Sequence, residues 1–301
     1  MTGFGSVDDA VIEQGSRLSR MLTGYRFLEG PVWHPALGEL FFSDIPGNAI
    51  YRWHPSRGVS IFRPNSYLAN GNTLDREGRL LTCEHGTSRV TRTALDGSGD
   101  YEVLASHWQG KELNSPNDII VRSDGAVLFT DPMPGRMPRV GIPRPQQLSF
   151  QGVFLLDPAS KTLSLVADDF SKPNGLCFDL GEKRLFVNDT DRGHIRAFIA
   201  NPDNTFTDSG IWAELRPLGP GVADGLKVDV ENRVYCCGPG GIQVFGQDGG
   251  SIGLIEIPEV AANFTWGDED RRTLYVAATS SIYRIRTRVP GVVPWPVGNV
   301  S

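Results

Sequence analysis

A chain of 301 residues with 40% hydrophobic side chains can bury a large core, and 35 Gly with 21 Pro predict many turns. The net charge of −6 argues against a nucleic-acid partner, because nucleic-acid binders present a basic face. No apolar run reaches the roughly 20 residues that span a bilayer, and the start "MTGFGSVDDAVIEQGS" has no basic-then-apolar leader, so a soluble, cytoplasmic protein without a membrane partner is expected.

In chain order, "SRLSRMLTG" (16–24) leads into six units of one design. The first strands are "PVWHP", "NTLDREG", "DIIVRSDG", "LCFDLGEK", "LKVDVEN" and "TWGDEDRR", and the second are "LFFSD", "RLLTCE", "AVLFTD", "RLFVND", "RVYCC" and "TLYVA". Third strands such as "AIYRWHP" and "GVFLLDP" follow, closed by D-G, D-P or N-P turns. Five units continue into a fourth strand, whereas the sixth gives way to "VPGVVPWPVG". The segment 16–24 stands ahead of unit one as the fourth strands stand ahead of theirs, which predicts that it completes the last unit. Four-stranded repeats of roughly 40–50 residues signal an all-β, six-bladed β-propeller with its ring closed by an N-terminal strand. One domain over 1–301 is expected, with the propeller at 16–289 and tails at 1–15 and 290–301. The insertion at 133–151, stiffened by Pro134, Pro138, Pro143 and Pro145, reads as an ordered cover over the mouth of the ring.

The residue entering each first strand faces the ring axis. Counting five back from His34, Asp75, Arg122, Asp179, Asp229 and Asp268 gives Glu29, Asn70, Asn117, Asn174, Asp224 and Asn263, every one a side-chain oxygen donor. Turns favour Asn and Asp for local reasons, but that explains six of six poorly. Hard oxygens suit Ca²⁺, Mg²⁺ or Mn²⁺, and a divalent cation would relieve the repulsion between Glu29 and Asp224. The acids at 44, 84, 131 and 189, which end the second strands, read as turn stabilisers or as partners behind the residues that hold the cation. Cys83, Cys177, Cys236 and Cys237 read as buried thiols without disulfides.

The stretches "FLEGPVWHP", "LNSPNDIIVRSDGAVLFTDP", "KPNGLCFD" and "VADGLKVD" resemble the gluconolactonase/regucalcin family of sugar lactonases, and "CEHGTSRVTR" is similar to its bacterial gluconolactonase branch. The resemblance runs over about residues 24–285. It implies one catalytic divalent metal in the channel mouth, held by Glu29, Asn117, Asn174 and Asp224, and a small-molecule sugar lactone as partner. Ca²⁺ is the first expectation, with Zn²⁺, Mn²⁺ or Mg²⁺ as alternatives. Ser115 stands where animal regucalcins have a substrate-gripping Arg, so substrate contacts must come from elsewhere.

The chemistry expected is hydrolysis of the lactone ester, with Asp224 as general base for the attacking water. Asn117, His85, Glu84 and Asn72 are the expected substrate contacts, although His85 also reads as an inter-blade hydrogen-bonding residue. The remaining histidines, at 34, 54, 107 and 194, read as solvated. A non-catalytic interaction platform and a phosphotriester hydrolase are the alternative readings; fold alone does not separate them.

Overall fold

The computed structural model describes residues 11–95, 101–138 and 140–292. Six four-stranded antiparallel sheets stand around an axis as the blades of a propeller. Blade 1 runs from inner strand Leu28–His34 to outer strand Gly58–Pro64, blade 2 from Ala69–Leu74 to Tyr101–Ala105, and blade 3 from Ile119–Val121 to Thr162–Phe170. Blade 4 runs from Pro173–Phe178 to Phe206–Glu214, and blade 5 from Leu226–Val228 to Ser251–Glu256. Blade 6 takes Ala261–Gly267, Thr273–Ala278 and Ser281–Arg286 from one end of the chain and its outer strand, Ser19–Thr23, from the other. Inner strands of neighbouring blades touch all the way round, including blade 6 against blade 1. Among the described residues the only helical element is a 3-10 turn at Pro134–Arg136, and no helix is long and apolar enough to cross a membrane.

The second strands read as near-continuous apolar runs because both their faces are buried, whereas the outermost strands are largely exposed. Side chains alternate along a strand, so Leu40 and Phe42 face blade 6 while Phe41 between them faces blade 2. The same alternation gives one apolar core between each pair of neighbouring blades. Trp33 stacks on Tyr275 across the junction of blades 1 and 6, with ring centroids 5.7 Å apart. Truncating a fully buried Phe such as Phe41 to Ala costs about 3–5 kcal/mol through lost burial and the cavity left behind.

Two parts of the expected tails pack. Val11 and Ile12 join the core between blades 5 and 6, and Gly291 bridges to Asp229. Residues 1–10 and 293–301 of those tails lie outside the described residues. At the end of the inner strands away from the entering residues, acids tie the turn into the second strand. Asp229 accepts from the backbone N–H groups of Glu231 and Arg233, from Arg233 Nε at 2.6 Å and from the Tyr235 hydroxyl at 2.9 Å. Asp75 and Asp179 repeat the arrangement with Arg79 and Arg184. His34 occupies the same position in blade 1. It is buried, with Nε2 3.2 Å from Gly78 O, which corrects the solvated reading; His194 is buried too.

Candidate active site

Two local devices bring the entering residues to the channel. A β-bulge interrupts the pairing between Glu29 and Val32, Ala69 and Asn72, Pro173 and Leu176, and Ala261 and Asn263. A bulge bends a strand and re-aims its side chains, here at the point where the strand meets the axis. Glycine then follows the entering residue in four blades, at Gly30, Gly71, Gly175 and Gly225. A Cβ on any of them would overlap the next blade: Asn70 O, Asn117 O, Asp224 O and the Asn263 side chain respectively. The inner strands approach this closely only because those side chains are missing. The [Glu/Asn/Asp]-Gly pair is therefore a sequence signal for the ring, and the positional count alone did not use it.

The six entering side chains differ in what their oxygens meet. Glu29 Oε2 accepts from Gly30 N at 2.7 Å and from Asn263 Nδ2 at 3.1 Å. Asn263 turns its own oxygen back onto Phe264 N, 2.9 Å away, and steadies Glu29 with its N–H. Asn174 donates to Thr190 Oγ1 at 3.1 Å, and its Oδ1 is buried with no partner. Asn70 Oδ1 is likewise buried and unpartnered, while Asn117, also buried, makes no side-chain hydrogen bond among the described residues. The Asp224 backbone is clamped by the Asn188 side-chain amide and by its own N–H to Cys237 O.

Burial, with repulsion from Asp118 behind it, pushes the Glu29 carboxyl up to about 7. Burial also drives Asp224 well above the usual carboxylate range, reinforced by Glu29 and then Asp118. Among the described residues no three His, Cys, Asp or Glu side chains group as a metal site. A cation here would have two carboxylates plus amide oxygens to hold it. The residues present fit that role: buried acids that resist ionising beside one another, and a buried amide oxygen without a donor, are the environment that a hard divalent cation satisfies.

Three of the expected substrate contacts prove to be otherwise engaged. Asn72 donates to Gly30 O, Ser43 Oγ and Asn70 O and accepts from Thr82 Oγ1, so its amide stitches blade 1 to blade 2 instead of facing the mouth. Glu84 is fully buried and accepts from Arg63, Thr87, Thr91 and Arg89, which leaves neither oxygen for a ligand. His85 does stand at the mouth, but both ring nitrogens are engaged: Nε2 lies 2.9 Å from Asn70 Nδ2 and Nδ1 3.0 Å from Val140 O. Burial lowers its pKa to about 4, which keeps the ring neutral at physiological pH.

Three of the four acids ending the second strands act on the chain entering the same blade. Asp44 accepts from Arg26 N and Phe27 N, Asp131 from Asn114 N, and Asp189 from Ser171 N and Lys172 N. The insertion at 133–151 packs against blades 2 and 3 at the mouth. Arg136, almost wholly buried, donates to Asn114 O, Leu113 O and Glu112, and Arg144 donates to His85 O and Ser88 Oγ. Ser115 holds its near end, donating to Pro132 O and accepting from Gly135 N. All four cysteines are buried and free, and burial raises every thiol pKa, so none is a nucleophile at neutral pH.

Asp118 is the residue that reading by position missed. It stands where four other blades have glycine, is buried, and has an Oδ2 with no partner. Lys227 is the cation that pulls its raised pKa back down. Only the blade-to-blade glycine pattern marks it in the sequence.

Residues 27–280 match the SMP-30/Gluconolactonase/LRE-like region. A gluconolactonase of Zymomonas mobilis is 27% identical, over 97% of this chain and 87% of its own length. A pentonolactonase of Haloferax volcanii is 26% identical, over 84% of this chain and 82% of its own. The solved structure of a gluconolactonase from Xanthomonas campestris superposes with a TM-score of 0.87 at 32% identity, covering 94% of this chain and 93% of that one.

Proposed function

The chain belongs to the SMP-30/Gluconolactonase/LRE-like family, and from that premise we propose that it is a sugar lactonase, opening an aldonolactone to its aldonic acid with the help of one divalent cation. The observation that carries this reading is the set of oxygens at the mouth. Glu29, Asn117, Asn174 and Asp224 converge from blades 1, 3, 4 and 5, with the Asn174 oxygen buried and unanswered and both acids resisting ionisation. These four residues would hold the cation, Ca²⁺ first among hard ions that such donors accept. When bound, it supplies Lewis acidity to the lactone carbonyl and lowers the pKa of water.

The chain's own groups do the rest. Asp224 receives a proton from the attacking water as the new C–O bond forms at the carbonyl carbon. The ring C–O bond then breaks, and the departing alkoxide takes up that proton as the aldonic acid is released. Asn117, with its amide free, serves both the cation through oxygen and the lactone through N–H. Glu29 is fixed in place by Gly30 N–H and Asn263 and remains a ligand. Two curated relatives act on hexono- and pentonolactone classes by name, so the substrate class is the polyhydroxylated aldonolactone. The test is a pH-indicator assay over a panel of aldonolactones, before and after chelation and after adding back Ca²⁺, Mn²⁺, Mg²⁺ or Zn²⁺. Acid release that stops on chelation and returns with one of these ions is expected; no chelator-sensitive hydrolysis of any lactone would return the fold to the platform reading.

A further inference from the structure

The His85–Asn70 contact settles which way one amide points. A backbone carbonyl only accepts, so the ring nitrogen 3.0 Å from Val140 O, Nδ1, carries the hydrogen. The ring is buried and neutral, so Nε2 presents a bare lone pair. The Asn70 atom 2.9 Å from that lone pair must then be the NH₂ group, because the amide oxygen would meet it acceptor to acceptor. Asn70 Oδ1 is thereby turned away from His85, and it is buried without a donor. The amide has one orientation, set by a histidine whose own tautomer is set by the insertion.

That insertion is seated on the pair. A Cβ on Gly135 would overlap both His85 and Ser115, Arg144 Nη2 donates to His85 O at 2.9 Å, and Ile142 N donates to Gly135 O. In a ring of six, blade 2 stands opposite blade 5, so Asn70 and Asp224 enter from opposite sides of the mouth. A lactone bound at the mouth would lie between them, and it carries on its ring a set of O–H donors. An acceptor held in place with no N–H beside it selects such a donor.

Resting on the lactonase reading, we infer that Asn70 is a specificity-determining residue whose Oδ1 accepts a ring hydroxyl of the sugar lactone, and that His85, locked by Val140 O, is the positioning residue that aims it. Substrates with the hydroxyl gain over those without it, because a site built to bond a hydroxyl is left with an unpaired group by the analogue.

The experiment compares glucono-1,5-lactone with δ-valerolactone, which has the same ring and no hydroxyls, in the cation-loaded enzyme. Calorimetric binding of the non-hydrolysed gluconolactam is measured in parallel. In Asn70→Ala the ratio of kcat/KM values, hydroxylated over bare, is expected to fall 10- to 100-fold, mostly through KM, and gluconolactam binding to weaken by a similar factor. His85→Phe leaves Asn70 in place but frees its amide to turn; it should show a smaller fall in the same ratio, with partial recovery in His85→Gln, which offers an acceptor again. This pair carries the test if Asn70→Ala does not melt cooperatively. An unchanged ratio, or a loss of cation affinity in Asn70→Ala that makes the oxygen a metal ligand, overturns the assignment while the lactonase reading stands. Wild-type protein that hydrolyses neither lactone overturns both.

Discussion

The two ends of the inner strands are made from the same kinds of residue and do opposite things. At the far end Asp75, Asp179 and Asp229 are saturated: every carboxylate oxygen meets backbone N–H groups or an arginine of its own blade. At the mouth, five residues earlier, Asn70 and Asn174 each keep a buried oxygen unpaired, and two acids are held where they resist ionisation. A buried polar group without a partner costs about 1–3 kcal/mol, so one end of the strand stabilises the fold and the other is paid for by it. Residue type does not separate the two ends of these strands; whether their side-chain oxygens are paired does.

The comparison breaks most sharply at Asp224. Asp224→Asn should lower kcat/KM by roughly 10²–10⁴-fold, the usual contribution of a general base, with a cooperative melt retained; near-wild-type turnover with cation still bound would remove Asp224 as the base. Its counterpart, Asp229→Ala, should destabilise by about 3–5 kcal/mol in denaturant titration, because it breaks a buried pair. Cation affinity of the folded variant should stay within a factor of two of wild type.

The next effect is one of pH. Without cation, Glu29 binds its proton more tightly folded than unfolded, about 7 against an ordinary 4.5. Its contribution is therefore complete below about 4.5 and is lost as pH rises through 7. The Tm of the chelated protein should fall between pH 5 and pH 8, and added divalent cation should raise Tm more at pH 8 than at pH 5. An equal shift at both would mean the acids are not where the cation binds. The smallest effect belongs to Asn263→Ala, which removes the 3.1 Å bond to Glu29 Oε2. Cation affinity should weaken about tenfold, as for other residues that orient a ligand, read by calorimetry.

Much of this was legible in the sequence. Apolar strands closed by D-G and D-P turns repeat through the chain, and the entering residues fall at a constant offset, so the propeller and its ring of oxygens could be counted. The fates of Glu84 and Asn72 could not. Glu84 is claimed by Arg63, 21 residues earlier on the outer strand of blade 1, and Asn72 by Gly30 and Ser43 of the same blade. Such partners meet only when neighbouring blades pack, and no local pattern announces them. The proline stiffness of 133–151 did announce an ordered segment. What fastens it, Arg136 to backbone carbonyls and Val140 O to His85, depends on the contact with blades 2 and 3.

The pairing of Ser19–Thr23 with Ser281–Arg286 also has a consequence in time. The first propeller strand to be synthesised finds its partner only some 260 residues later, after the other blades. Until then it waits unpaired, and blade 6 offers a bare edge of the sort that recruits other chains. Bringing so distant a pair together is slow, because chain entropy is lost before the contact rewards it. Refolding should therefore be most vulnerable to aggregation at its final step, when five blades are in place and the sixth still lacks its outermost strand.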